Sequence, residues 1–268
     1  MPLRETMRQT YMFATRRDVL RLALLIFLSC TFCLGQTSNA VGGDGKTLLQ
    51  QGNDSFAKGN YDQAILDYSK EIKLNPKVGG SYCQRGHAYS AKEEYDKAIS
   101  DFTAAIELNA KDDEAYCGRG NAEIHNGLDA KHAILDFKKA IELNPKNSEA
   151  YYGLGFAYQL KETYDKAISY YSKAIEVKPD YGAAYKNRGQ LYGYKKDYDQ
   201  AISDYSKAIK FKTCCGDAQV YFELGGIYEF KGDYDHAIIN YKKALELKPD
   251  FPDAKSALKN AMGKNSKK

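Results

Sequence analysis

Over most of its length the sequence lacks an excess of either charge. Residues 41–268 carry 34 basic and 33 acidic side chains, a net charge of +1, whereas residues 1–40 carry five arginines against two acidic residues. A nearly neutral body with interspersed charges offers no electrostatic footprint for DNA or RNA. Nucleic-acid binding is therefore not expected.

The sequence also lacks the short motifs of common enzyme sites. It contains no Gly-x-Ser-x-Gly or His-Glu-x-x-His and no glycine-rich phosphate loop. The four histidines are scattered across the chain. His87 and His125 are expected to share one concave face of the protein, but no cysteine or carboxylate is expected to complete a metal set with them. No catalytic residue, metal, cofactor or small-molecule substrate is predicted.

Long hydrophobic runs are absent except for residues 20–34, and this run is shorter than the roughly 20 residues that cross a bilayer. Arg16 and Arg17 precede it and Ser38-Asn39-Ala40 follows it. A positive region, a short apolar core and a small-x-small site are the parts of a secretory signal. We therefore expect an exported, periplasmic or secreted protein whose residues 1–40 are removed.

Two features leave the export route open. Residues 15–21 resemble a bacterial twin-arginine signature, with Val19 where phenylalanine is usual. Residues 27–30 resemble a lipoprotein signal that ends on Cys30, with Phe27 where leucine is usual. Lipidation at Cys30 and an uncleaved anchor at residues 20–34 are the alternatives to cleavage after Ala40.

Tryptophan is absent and proline scarce, but tyrosine is abundant, with 23 residues against 11 phenylalanines. The tyrosines recur in the pattern Tyr-x-x-x-Gly-x-x-Tyr followed by Tyr-Asp-x-Ala-Ile. The glycines of this pattern are residues 52, 86, 120, 155, 189 and 225, at spacings of 34, 34, 35, 34 and 36. Such a period indicates a repeat protein.

The pattern resembles the tetratricopeptide repeat (TPR) family, whose period is 34 residues. The resemblance implies an all-α, right-handed superhelical solenoid of six helix-turn-helix repeats. After a linker at 41–44, the six repeats are expected at 45–78, 79–112, 113–147, 148–181, 182–217 and 218–250, and a capping helix with a basic tail at 251–268.

The fourth repeat shows the physical logic. Residues 149–160 and 164–177 both have apolar side chains at helical spacing, which predicts a first and a second helix. Gly155 and Ala167 are small where the two helices are expected to cross. The aspartates that follow the second-helix tyrosines are interpreted as helix caps, not catalytic carboxylates; they are Asp62, Asp96, Asp165, Asp199 and Asp235.

The cysteines offer little chemistry. Cys83 and Cys117 occupy one position in adjacent repeats, where stacked helices lie too far apart for a disulfide. They are interpreted as small side chains that line a groove. Cys214 and Cys215 fall in the irregular end of the fifth repeat; they are interpreted as loop thiols, with pairing between chains as the alternative.

In the TPR family the first helices line a concave groove that binds peptides. Transfer of the groove positions predicts a binding site that is small and polar in its N-terminal half and aromatic in its C-terminal half. The predicted site consists of Asn53, His87, Asn121, Tyr152, Phe156, Lys186, Gln190, Tyr194, Phe222 and Phe230. The five aromatic residues suit anchors for apolar side chains; the alternative is ordinary packing against the second helices.

The predicted function is a non-enzymatic scaffold that binds a protein or peptide in the cell envelope. The carboxylate clamp of chaperone-tail binders is absent, because Glu114 stands where a lysine is needed. Two alternatives remain: an accessory subunit of an enzyme complex, such as a glycosyltransferase, and a self-assembling structural solenoid. The expected capping helix argues against the second.

Overall fold

The computed structural model describes residues 47–127, 130–212 and 217–266. These residues form thirteen α-helices and no strand. The helices are α1 Leu48–Ala57, α2 Tyr61–Leu74, α3 Gly79–Ala91, α4 Tyr95–Leu108, α5 Asp113–His125, α6 Ala130–Leu143, α7 Ser148–Leu160, α8 Tyr164–Val177, α9 Gly182–Tyr194, α10 Tyr198–Lys210, α11 Asp217–Lys231, α12 Tyr234–Leu247 and α13 Pro252–Asn265.

The described chain divides into two compact units. The first ends at Lys161 and contains α1–α7; the second begins at Glu162 and contains α8–α13. Within each unit consecutive helices pack against each other, and each first helix also contacts the first helix of the next repeat. The predicted all-helical repeat fold is confirmed. None of the helices that the structure describes is long and apolar enough to span a bilayer.

In every repeat, the second helix places one small and one large side chain in the core. The small residue is an alanine with no exposed surface, at positions 64, 98, 133, 167, 201 and 237. The large one is a ring that is at most 2% exposed: Tyr68, Phe102, Phe137, Tyr171, Tyr205 or Tyr241. A Cβ atom built on Gly189 would lie 3.4 Å from the Ala201 carbonyl oxygen. The first helix of a repeat thus packs closely against the backbone of the second, as the glycine and alanine at the crossing predicted.

The turn inside each repeat always uses one left-handed residue. Gly59, Gly127 and Gly232 occupy this position with φ of 75°, 77° and 76°. In the other three repeats a side chain is held in the same conformation, at Glu93, Glu162 and Lys196. An L-residue with a side chain costs about 1–2 kcal/mol there, so the geometry of the turn is imposed by the packing of the helix pair.

The Tyr-Asp aspartates lie in the first turn of each second helix, as expected, but they are not the N-cap residues. The tyrosine is the first helical residue, and the cap is the residue before it: the side chain of Asn60 accepts from the Gln63 amide, and that of Asp233 from the His236 amide. Each aspartate instead bonds a residue at the end of the next first helix. The pairs are Asp62–Lys92, Asp96–Asn126, Asp165–Lys195, Asp199–Lys231 and Asp235–Asn265.

Helix α13 covers the last repeat as a further first helix would. Ala254 and Ala261 have no exposed surface and pack in clusters with side chains of α12. Asn265 Nδ2 donates to Asp235 Oδ1 at 2.7 Å, which is the contact that also forms at the ends of α3, α5, α9 and α11. Lys264 Nζ lies 2.7 Å from Glu229 Oε1 on α11. The capping helix is therefore confirmed and extends over residues 252–265.

Candidate functional site on the first helices

Asn53, His87 and Asn121 occupy one position on α1, α3 and α5 of the first unit. Asn53 Oδ1 accepts a hydrogen bond from the Tyr68 hydroxyl at 2.8 Å, and burial raises the pKa of that hydroxyl. A buried phenol needs such an acceptor. Asn53, which was predicted to line the groove, thus also supports the core of the first repeat.

His87 and Asn121 line a small cavity together with Tyr95 and His125. Its volume is about 20 Å³, enough for roughly one water molecule. The His125 ring stacks on Tyr95 with centroids 5.5 Å apart. Burial lowers the pKa of His125 to about 4, so the ring is neutral at pH 7. A cavity of this size cannot hold a peptide.

The structure corrects one expectation about His87. The sequence offered no obvious cysteine or carboxylate to complete a metal set with it, but Cys83 and Glu114 lie beside it. One ligand atom of each of the three residues lies within 4.8 Å of the others. Cys83 and His87 are 2% and 8% exposed. The signal that could have found this cluster was the Cys-x-x-x-His spacing on α3, read together with the start of α5.

Tyr152 and Phe156 lie one turn apart on α7, also in the first unit. Tyr152 is half-buried, whereas Phe156 is only 7% exposed. Phe156 therefore offers little surface to a partner. These two rings were predicted to share one concavity with Tyr194, Phe222 and Phe230. Because those three residues belong to the second unit, this stays a prediction.

In the second unit Lys186 and Gln190 lie on α9. Lys186 is only 8% exposed, and its Nζ lies 4.0 Å from Oε1 of Glu223, which is 7% exposed. Gln219 Nε2 donates to the same oxygen at 2.9 Å. The charge of Lys186 is thus paired with that of Glu223 inside the unit. The half-buried Gln190 lies one helical turn beyond Lys186.

Tyr194 and Phe230 are the exposed rings of the predicted site, at 43% and 40% exposure. They occupy one position at the ends of α9 and α11, which contact each other. Tyr194 stacks on Tyr164 with centroids 5.8 Å apart, and Phe230 on Tyr198 at 6.2 Å. Each ring is therefore stacked on one face and partly exposed to solvent.

Phe222 was predicted to be an anchor for a partner, with ordinary packing as the alternative. Its ring lies 4.9 Å from that of Phe251 and 5.8 Å from that of Tyr241. These contacts join α11 to α12 and to the start of α13. The alternative of ordinary packing therefore describes Phe222 better than a partner anchor does.

Comparison with known proteins agrees with this architecture. Sequence models described as tetratricopeptide repeat match residues 81–112, 147–213 and 218–251, and a model described as TPR repeat matches 131–162. The chain belongs to the tetratricopeptide repeat family. No curated protein matches it in sequence.

Several solved structures are similar to this TPR protein. MamA is 31% identical over 60% of this chain and 93% of its own, with a TM-score of 0.52. YrrB, described as a TPR protein with an unusual peptide-binding site, is 24% identical over 72% of this chain and 97% of its own, at 0.56. A chain of the APC/C hetero-tetramer Cut9-Hcn1 is 23% identical over 80% of this chain, at 0.71, and this chain spans 42% of its length. At these identities the last two show the fold alone.

One set of side chains in this TPR protein was missed from the sequence. Arg85 makes a two-pronged ion pair with Asp101, with N–O distances of 2.7 and 2.8 Å, and donates to Ser69 of the preceding repeat at 3.0 Å. The same arrangement recurs at Arg119 and Arg188. An Arg-Gly pair followed by aspartate 16 or 17 residues after the arginine was the available signal. Each ion pair joins the two helices of one repeat, and the further bond of the arginine reaches the preceding repeat.

Proposed function

We propose that this TPR protein is a non-enzymatic scaffold that binds a segment of another protein on the first helices of its second unit. The observation that carries the proposal is the pair of exposed rings at Tyr194 and Phe230. Exposed aromatic side chains in register on one face are typical of contact surfaces.

The two rings are preorganised for binding. Stacking on Tyr164 and Tyr198 restricts their rotation in the unbound protein. A ring that is already ordered loses less conformational entropy when a partner covers it. Because α9 and α11 belong to successive repeats, a partner that contacts both rings must lie across the helices.

The chemistry of this surface favours an apolar segment. The charge of Lys186 is balanced by Glu223 beneath the face, and Glu229 accepts from the Tyr241 hydroxyl at 2.8 Å and pairs with Lys264. No strong unbalanced charge is therefore left beside the two rings by these groups. We infer a partner segment with leucine, methionine or aromatic side chains, bound in extended or helical form.

A location outside the cytoplasm is part of the proposal. It is supported by the signal-like pattern of residues 1–40, which lie outside the described residues. The absence of enzymatic activity is likewise a proposal, supported by membership of a family that generally serves as an interaction scaffold and by a cavity that holds about one water.

Affinity capture with the purified full-length chain tests the binding surface. The probes are wild type, Tyr194→Ala, Phe230→Ala and a control, Ile239→Ala, whose side chain is 61% exposed on the second helix α12. We expect one stoichiometric partner to be retained by wild type and the control. Each ring variant should lose about 2 kcal/mol or more of binding free energy, as central anchors do.

Thermal unfolding of the same four proteins separates binding from folding. Loss of a stacked pair removes about 0.5–1.5 kcal/mol, so the ring variants should remain folded. Equal partner retention by all four proteins would contradict the proposed surface. Recovery of only further copies of this chain would instead support the self-assembling solenoid.

A further inference from the structure

We infer that Cys83, His87 and Glu114 form a binding site for a zinc ion in the first unit. Cys83 and His87 lie one turn apart on α3 and therefore share a face. Glu114 lies in the first turn of α5, the next first helix, which contacts α3. Their thiol, imidazole and carboxylate ligand atoms all lie within 4.8 Å of one another.

The measured geometry suits a small tetrahedral ion. His87 Nε2 lies 3.3 Å from Glu114 Oε1. Zinc bonds nitrogen and oxygen ligands at about 2.0–2.2 Å, so two such ligands at a tetrahedral angle lie about 3.4 Å apart. The two side chains are thus already separated as zinc ligands are, and the Cys83 thiol lies within 4.8 Å of both ligand atoms.

The donor set selects the class of metal. Sulfur and imidazole nitrogen favour zinc over the hard cations magnesium and calcium, which take oxygen ligands. A thiolate and a carboxylate would together balance the two positive charges of the ion. His87 is oriented by the edge-on contact of its ring with Phe102, at a centroid distance of 4.9 Å.

Burial fits a site that is enclosed but reachable. Cys83 and His87 are almost fully buried, whereas the Glu114 side chain retains 22% of its exposure. A metal can therefore enter past the carboxylate. Three protein ligands leave a fourth coordination position, as in zinc sites that bind water or a further ligand.

The fold itself does not require this set of side chains. The equivalent positions hold Leu49, Asn53 and Gly80 one repeat earlier, and Lys186, Gln190 and Gln219 between the fifth and sixth repeats. The same helix pairs form in those places. A thiol, an imidazole and a carboxylate therefore come together at one junction for a reason other than the repeat scaffold.

Cys117 is the neighbouring residue that must be distinguished from the ligands. It lies one turn after Glu114 on α5, and its Sγ lies 3.7 Å from Asn121 Nδ2. It does not belong to the group whose ligand atoms lie within 4.8 Å of one another. We therefore assign it no bond to the ion.

Zinc binding by the full-length chain tests the inference. Cys30, Cys33, Cys214 and Cys215 are first replaced by serine so that they cannot bind metal. The protein is stripped with a chelator, titrated with zinc and, in parallel, with cobalt. We expect one zinc per chain, a rise in melting temperature with zinc, and thiolate-to-cobalt charge transfer with tetrahedral cobalt bands.

The ligand variants copy side chains that the chain carries at the same positions elsewhere: Cys83→Leu, His87→Asn and Glu114→Gln. Each should fold, because those side chains are accommodated in other repeats. Cys83→Leu and His87→Asn should each lower zinc affinity about 100-fold or more, beyond the roughly 10–100-fold cost of losing an outer partner. Cys117→Ser should change it by less than about threefold.

Three results would overturn the inference: no zinc retained by the parent chain, zinc retained equally by His87→Asn, or cobalt spectra without the thiolate band. A loss in Cys117→Ser as large as that in Cys83→Leu would overturn the three-ligand assignment. The melting temperatures of the metal-free variants show whether any loss of affinity is simply unfolding.

Discussion

His125 is expected to make the unfolding free energy of the first unit depend on pH. Burial lowers its pKa from 6.5 to about 4 in the folded state. Between these values the unfolded chain binds the extra proton and the folded chain does not, so the unfolding free energy falls as the pH falls. The stabilisation is complete above pH 6.5, and about 3 kcal/mol is lost by pH 4.

His125→Phe should remove this dependence and keep the structure. Phe230 occupies the same position in the sixth repeat and stacks on Tyr198, as His125 stacks on Tyr95. Denaturant unfolding of both proteins from pH 7 to pH 4 measures the difference. Other acidic groups titrate in both proteins, so their contributions cancel in the difference. Parallel plots of unfolding free energy against pH would show that His125 is not the cause.

The arginine–aspartate pairs are costly to break from one side. Asp101→Ala leaves the largely buried guanidinium of Arg85 without its carboxylate. Removal of one partner of a buried pair costs about 3 kcal/mol or more. Chemical denaturation of this variant should show that loss.

A matched double variant isolates the cause. In the sixth repeat the equivalent pair is Leu224 and Asn240, both buried, with Asn240 Nδ2 donating to the His236 carbonyl. Arg85→Leu with Asp101→Asn reproduces it and leaves no unpaired charge. We expect it to be more stable than Asp101→Ala; the reverse order would mean that the unpaired guanidinium is not the cause of the loss.

At the scale of the helices, the ring on each second helix sets what the next first helix can carry. Phe102 lies against Gly118, where an added Cβ would come within 2.5 Å of the ring. Tyr171 has a hydroxyl to satisfy, and Asn187 Nδ2 donates to it at 3.3 Å. The residue that faces Phe102 from the next first helix is thus a glycine, because the ring fills the space of a side chain. The residue that faces Tyr171 is polar, because the hydroxyl needs a hydrogen-bond partner.

Two glycines of the first unit should respond to alanine in opposite ways. Gly118→Ala forces Phe102 to move and should lower the unfolding free energy by about 1–3 kcal/mol. Gly80→Ala meets nothing within 4 Å and should raise it by up to about 1 kcal/mol, since alanine favours a helix. Thermal unfolding compares the two variants. A melting temperature of Gly118→Ala that rises as that of Gly80→Ala does would contradict the packing at Gly118.

At the scale of the whole molecule, adjacent repeats are joined by contacts that recur with the repeat period. The Asp–Lys or Asp–Asn bonds link five of the second helices, α2, α4, α8, α10 and α12, to the next first helix. The arginines add a bond to the preceding repeat. Stability in such a chain is a sum of repeat and nearest-neighbour terms, so a local substitution acts mainly on its own junction.

Export is the prediction that concerns the chain as a whole. We expect residues 1–40 to be missing from the mature protein in a bacterium that expresses it, and N-terminal sequencing checks this. Arg16→Lys with Arg17→Lys should block export by the twin-arginine route and only weaken general secretion; Arg21→Lys is the control. An intact Met1 in the soluble cytoplasmic fraction would contradict export.

The sequence by itself determined the repeat fold, because a 34-residue spacing of glycine, alanine and rings leaves each helix pair with an apolar face that only its neighbours can bury. The helices at 149–160 and 164–177 were predicted to within one residue at each end. The capping helix was predicted as well, from a proline and a polar face. These features are local and periodic, so sequence spacing suffices to find them.

Only the tertiary structure decided what the polar side chains do. Asp62 is far from Lys92 in sequence and bonds it across a junction; Phe222 turns inward because Phe251 and Tyr241 are there to meet it. Cys83, His87 and Glu114 come together because α3 and α5 pack side by side. Hydrogen bonds and metal ligation depend on distances of a few ångströms between different helices, and a sequence period gives the order of those helices but not the rotation of each side chain.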